Sequence, residues 1–343
     1  MIKIKNFFSK YWLFVLLTII ATIFGTFYFK NKSIPPIVGN KLLGLPSPQI
    51  ESYKIPNSVS ISLEENNLES PKKDLEVYQA SSFVFSDQEA IEIAKRLGFL
   101  QLPTVTYNQI RKGNVYTWDD EQKSLIMNLN WGTINYHQKL KNQSPSQINS
   151  ITLTEGEEIV SKFLESNGFL PNGDISLVKK DLFYIKTSEM GAKKVSSPQE
   201  ANLIEADFDY KINQKKITNC FIIIAIDFSK QIVNFNYQPA FKGVKILDNY
   251  PLKLRDEIMK DLKNKREISY LLTPSSYSPT SEEVKKITSL SFNQIEIAYY
   301  KYDPLQSYLQ PVFLVTGIAN LENNQQAEIG VYLPAIKDQY LLK

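Results

Sequence analysis

The sequence predicts an α+β protein in which an N-terminal transmembrane helix is followed by repeated units of one helix packed on an antiparallel sheet. Three observations carry this: an uncharged apolar run at Tyr11–Phe29, a helix signature that occurs twice, and alternating strand patterns after each copy. The run YWLFVLLTIIATIFGTFYF lies between Lys10 and Lys30. As a helix it rises about 28 Å, close to the hydrocarbon thickness of a bilayer. Tyr11 and Trp12 at one end, and Tyr28 beside Phe29 at the other, suit the two membrane interfaces. The expectation is a lipid bilayer as first partner, met through residues 11–29.

The flanks of that run bear on processing and orientation. Phe27, Tyr28, Phe29 and Lys30 stand where a signal peptide needs small residues, so an uncleaved anchor is expected. Lys3, Lys5 and Lys10 with the terminal amine outweigh Lys30, Lys32 and Lys41, a bias toward the N-terminus inside. Residues 33–343 are then extracytoplasmic, and the localisation read from sequence is a single-pass protein of the cell membrane.

Composition narrows what the remainder can do. The net charge is +3, but five of the 39 basic side chains fall in residues 1–32, which hold no acid. The rest is slightly acidic against 36 Asp and Glu, a balance that excludes the concentrated basic face needed for nucleic acid. The single cysteine, Cys220, cannot form an intramolecular disulfide and sits in the apolar run CFIIIAIDF, where it reads as a small buried hydrophobe.

After the anchor (1–32), residues 33–76 are rich in Pro and Gly and read as an extended stalk. The first α+β unit is expected over 77–145. Its helix is FSDQEAIEIAKRLGFL, with Ser86 and Glu89 as a capping box, Ala90, Ile93, Ala94 and Leu97 at helical spacing, and Gly98 as the stop. Strands follow at Val115–Trp118, Ser124–Leu129 and Thr133–His137. The second unit, 146–243, opens with LTEGEEIVSKFLESNGFL, in which Thr154 and Glu157 read as the box and Gly168 as the stop. Asp181–Lys186, Ile204–Ile212, Phe221–Phe228 and Ile232–Tyr237 are its strands, and 191–199 reads as a loop. The third unit, 244–343, places Pro251 at a first helical position ahead of Leu254, Ile258 and Leu262. Strands are expected at Ile268–Leu272, Phe292–Tyr302, Gln310–Ala319 and Ala327–Leu333.

SDQEAIEIAKRLGF resembles the opening helix of PepSY domains, small helix-on-sheet modules of bacterial envelope proteins and protease propeptides. The wider layout is similar to single-span bacterial envelope proteins, on PPIVGNKLLGLP, the Gly-Phe-Leu helix ends and the tail IEIAYYKYD…YLQPVFLVTGIA…VYLPAI. The resemblance implies an extracytoplasmic inhibitory or binding role and supplies no catalytic residues.

The chemistry legible in the chain is sparse. His137 is the only histidine, which excludes a multi-histidine zinc site, and nothing local pairs it with Cys220. No phosphate-binding or dinucleotide motif occurs. Glu205, Asp207 and Asp209 alternate along one strand face, as a calcium site or acid/base pair would need if Asp227 lay beside them, and as a solvated strand face also would. For binding, Tyr299, Tyr300 and Tyr302 stand out, with Tyr300 and Tyr302 on one face with Ala298 and Tyr299 on the other with Ile297. The reading is a non-catalytic binding or regulatory module with no catalytic, metal or cofactor residues and a protein or cell-wall partner. Its competitor is a carboxylate- or metal-dependent hydrolase of envelope polymers.

Overall fold

The computed structural model describes residues 37–38, 41–42, 44–63, 74–109, 112–139, 151–188, 191–272, 281–303, 305–322 and 325–342. Chain contacts divide it into two units, 1–47 with 338–343, and 48–337. In the first, Ile37–Val38 pairs antiparallel with Lys41–Leu42, and Leu45 bridges to Leu341.

The second unit is built on a 16-stranded mixed sheet. Its early strands are β1 (Ser60–Leu63), β2 (Asp74–Ser81), β3 (Thr104–Asn108), β4 (Gly113–Asp119), β5 (Lys123–Asn128) and β6 (Thr133–Gln138). Then come β7 (Ile175–Ser188), β8 (Gly191–Val195), β9 (Leu203–Ile212), β10 (Lys215–Asp227), β11 (Ile232–Gln238) and β12 (Gly243–Pro251). β13 (Tyr270–Leu272), β14 (Ile287–Tyr300), β15 (Tyr308–Leu321) and β16 (Gln326–Pro334) complete it. The hydrogen-bonded path runs β12-β2-β15-β14-β10-β11-β6-β5-β4-β3, with β9, β7 and β8 branching from β10, β16 and β13 from β15, and β1 from β14.

Among the described residues, three helices of ten residues or more accompany this sheet, α1 (Asp87–Arg96), α2 (Leu153–Asn167) and α3 (Arg255–Lys265), with a shorter one at Ser281–Lys285. α1 begins and ends where the sequence places it. Ser86 accepts from the Glu89 amide, Glu89 returns a bond to the Ser86 amide at 2.7 Å, and Gly98 follows in the left-handed region at φ 83°. α2 starts two residues earlier than expected: Thr152 and Glu155 form the box, not Thr154 and Glu157. The earlier start buries Ile151, whose carbonyl accepts from the Tyr184 hydroxyl at 3.1 Å, and frees Glu157 to pair with Lys179. Gly156, Val160 and Leu164 then form the buried stripe. α3 also differs from expectation, because Pro251 closes β12 opposite Asp74 and the helix opens after Leu254. Residues 191–195, read as loop, form β8.

The fold class read from sequence is corrected by this arrangement. The protein is mostly β, and its strands join one mixed sheet instead of repeating a helix-on-sheet unit. The reason is pairing. β6 lies against β11, with Asn135 opposite Asn236, so strands assigned to the first two units are continuous. Both helices α1 and α2 pack on that continuous face, against Ile134, Ile222, Ile224 and Phe235 in one core. A second core forms where α3 meets β14, β15 and β16 through Ile258, Leu262, Phe292, Phe313 and Ile329. Residues of the expected stalk enter it: Ile55 and Val59 are buried there, and β1 pairs parallel with β14.

Among the described residues, no helix is long and apolar enough to cross a membrane. Tyr11, Trp12, Tyr28 and Phe29, and the bilayer contact expected through 11–29, lie outside the described residues. The single-span architecture expected from sequence is corrected to a mostly β fold without a membrane-spanning helix among the described residues.

Candidate functional site

The sheet has two unlike faces. Along β11 the residues Phe235 and Tyr237 are buried in the first core, while Asn234, Asn236 and Gln238 are half-buried on the opposite side. The register extends that polar side across neighbouring strands. Asn236 stands opposite Asn135 of β6 and Ile223 of β10, and Ile223 stands opposite Asp207 of β9. Two residues along, Gln238 lies opposite Phe221, and Phe221 opposite Asp209. Opposed side chains of paired strands share a face, so amides, a Phe–Ile strip and carboxylates lie side by side about 5 Å apart.

At one end this face deepens into a groove of about 700 Å³. Its aromatic side is Trp131, Phe221, Tyr300 and Tyr302; Thr133, Asn219 and Gln238 bring polar groups from the sheet, and Glu51 and Asp303 add carboxylates. Trp131 is placed by a single 3-10 turn after β5, capped by Asn128 and ended by Gly132 at φ 62°. Asn219 sits where β10 changes partner, from the parallel pair with Tyr299 and Tyr300 to the antiparallel pair with β11. Its φ of 58° makes that switch, a conformation asparagine tolerates better than most residues, and its side-chain amide donates to the Lys301 carbonyl at 3.0 Å.

The connection from β14 to β15 is held from inside by Gln306. Its Nε2 donates to the carbonyls of Tyr300 (3.1 Å) and Tyr308 (2.9 Å), and its Oε1 accepts from the amides of Tyr302 (2.8 Å) and Asp303 (3.2 Å). A buried amide with both ends satisfied fixes the backbone of four residues at once. Lys301 lines the groove, but its ammonium turns inward, donating to the Pro239 carbonyl and lying over the Phe241 ring. Burial lowers its pKa.

No family model matches the chain, and no curated protein does. Among solved structures it is similar to a crystal structure of an uncharacterized protein from Eubacterium rectale, with 13% identity, a TM-score of 0.44, and coverage of 86% of this chain and 94% of that one. The PepSY-like and envelope description drawn from SDQEAIEIAKRLGF is corrected: no family model matches, and the helix belongs to a mostly β sheet that it shares with α2.

The residues singled out from sequence are distributed unequally. Tyr300 and Tyr302 line the groove, with Tyr300 packed 5.1 Å from the Tyr332 ring. Tyr299 points the other way, into the first core, where its hydroxyl donates to the Glu76 carbonyl at 2.9 Å and its ring meets Tyr78 edge-on. Glu205, Asp207 and Asp209 share the polar face but none lines the groove. Asp209 is paired with Lys216 at 2.9 Å, and Asp227 accepts from the amides of Ser229 and Gln231 in the turn that joins β10 to β11. Burial raises Glu205 to about 7, helped by Asp207, and burial also raises Asp207, one of whose oxygens is buried without a hydrogen-bond partner. No cluster of His, Cys, Asp and Glu among the described residues could hold a metal ion. His137 is exposed on β6 opposite Asn234, and Cys220 is buried in the first core, its thiol pushed up to about 11 by burial.

Trp131, Gln306 and the Asn/Gln row carry no motif. Alternation in TINYHQ and IVNFNYQ shows that their polar residues share a strand face, but not that the two strands are neighbours.

Proposed function

We propose that this protein is a binding or regulatory module that engages its partner through the groove formed by Trp131, Phe221, Tyr300 and Tyr302. One observation carries the reading: aromatic side chains from three separated segments converge beside a polar sheet face, on a turn held rigid by Gln306. Pockets that combine a few aromatic walls with oriented polar groups are the usual form of a ligand site.

The test uses the full chain carrying a photo-crosslinking residue at Thr133, inside the groove, and separately at the exposed Ser176. Illumination in a host-cell extract should give adducts at Thr133 that are absent at Ser176 and lost on Tyr302→Ala. Equal adduct patterns at both positions, or none at Thr133, would sink the reading.

A hydrolase acting through Glu205 and Asp207 is the second reading, favoured by the raised pKa of both groups on one strand face. It predicts polymer cleavage that disappears in Glu205→Gln, and an unaffected rate in that variant disposes of it.

A further inference from the structure

The groove opens onto a row of solvent-facing amides. Asn234, Asn236 and Gln238 are half-buried at alternate positions of β11, and Asn135 stands opposite Asn236 on β6. Among the described residues, the side-chain amides of these four make no hydrogen bond to protein. Each presents an oxygen acceptor and two N–H donors on one planar group. Along a strand the positions repeat about every 7 Å, and across the pair they lie about 5 Å apart. The row is therefore a grid of paired donors and acceptors fixed on a rigid sheet.

Beside the grid, Phe221 and Ile223 of β10 form an apolar strip on the same face, and the groove adds Trp131 and Tyr302. We infer that the ligand of this face is a neutral, hydroxyl-rich oligosaccharide, its ring faces laid on the aromatic side chains and its hydroxyls bonded to the amide row. This rests on the reading of the groove as the binding site and names the chemistry of what fills it.

Three points select this ligand over others. Vicinal ring hydroxyls each donate and accept, matching an amide's paired oxygen and N–H, while the C–H faces of a sugar ring are apolar and fit an aromatic face. Polyanions are disfavoured, because Glu51 and Asp303 border the groove and the Lys301 ammonium is turned into the protein. An extended peptide binds by adding to a strand edge, whereas β6, β10 and β11 are paired on both sides where they carry this face.

The test is calorimetric titration of the full chain with β1,4-linked hexasaccharides of glucose and of N-acetylglucosamine, with polygalacturonate as the acidic counterpart. Tryptophan emission, compared between the wild type and Trp131→Phe so that Trp12 and Trp118 cancel, gives a second readout. The expected result is saturable binding of a neutral hexasaccharide, weaker binding of its trisaccharide, and no binding of polygalacturonate. Asn236→Ala and Tyr302→Ala should each weaken binding at least tenfold with an unchanged melting temperature. If Tyr302→Ala fails to fold, Asn236→Ala, on a half-open sheet face, decides alone.

Saccharide binding unchanged in Asn236→Ala overturns the inference. So does failure of both neutral hexasaccharides to bind while the Thr133 crosslinker still captures a protein, and that outcome leaves the groove reading standing. Failure of both experiments removes both.

Discussion

Glu205→Gln should make this protein more stable at neutral pH and leave it little changed near pH 5. Glu205 is half-buried on β9, opposite Phe183 of β7 and Ala225 of β10. Burial raises its carboxyl from 4.5 to about 7, Asp207 adds to the rise, and Lys194 opposes it. The folded state therefore holds a proton there that the unfolded chain has released. Stability contributed by that proton is present below pH 4.5 and is lost as pH climbs to about 7. A shift of this size corresponds to about 3 kcal/mol for a fully shielded group. The side chain is partly open to water, and solvent screening reduces the figure to about 1–2 kcal/mol. Gln keeps the shape and cannot ionise. Urea unfolding of both proteins at intervals from pH 5 to pH 8 should show the wild type losing that amount relative to the variant. Parallel curves across the whole range would refute the placement of Glu205 in a desolvated setting.

Three further outcomes follow from the packing. Thr152→Ala should cost about 1 kcal/mol in urea unfolding while Thr154→Ala costs little, which separates the observed helix start from the one the sequence favours. Gln306→Leu should cost about 3 kcal/mol by thermal melting, since it strands two carbonyls and two amides inside the turn, and should weaken any groove ligand as well. Gly317→Ala should unfold the second core or shift β14 away from β15, because an added Cβ would lie 2.0 Å from the Ser291 carbonyl oxygen; a melting temperature within a degree or two of wild type would contradict that approach.

The groove also explains why the tyrosine cluster could be only half read from the chain. In AYYKYD the alternation divides Tyr299 from Tyr300 and Tyr302, and the structure keeps that division. Which side meets solvent depended on partners distant in the chain. Tyr78 and Glu76 of β2 claim Tyr299, and Ile50 and Tyr332 pack with Tyr300 and Tyr302.

Local rules were enough to determine α1 with its Ser86–Glu89 box and Gly98 stop, and the positions of β4, β5, β6, β9 and β11, because capping and period-two alternation act within a few residues. In ITLTEGEE they placed the second box two residues late, at Thr154 and Glu157, whereas the helix is capped by Thr152 and Glu155 beside the buried Ile151. Tertiary structure alone decided that β6 lies against β11, that β2 pairs with β12 some 160–180 residues later in the chain, and that β10 meets β14 in parallel at Ile217 and Thr218. Those pairings turn a string of helix-then-strand segments into one sheet, and they bring Trp131, Phe221 and Tyr302 around a single groove. The physical reason is that a strand's alternation fixes which side chains share its faces, whereas its neighbour is chosen by the burial and register of the whole sheet.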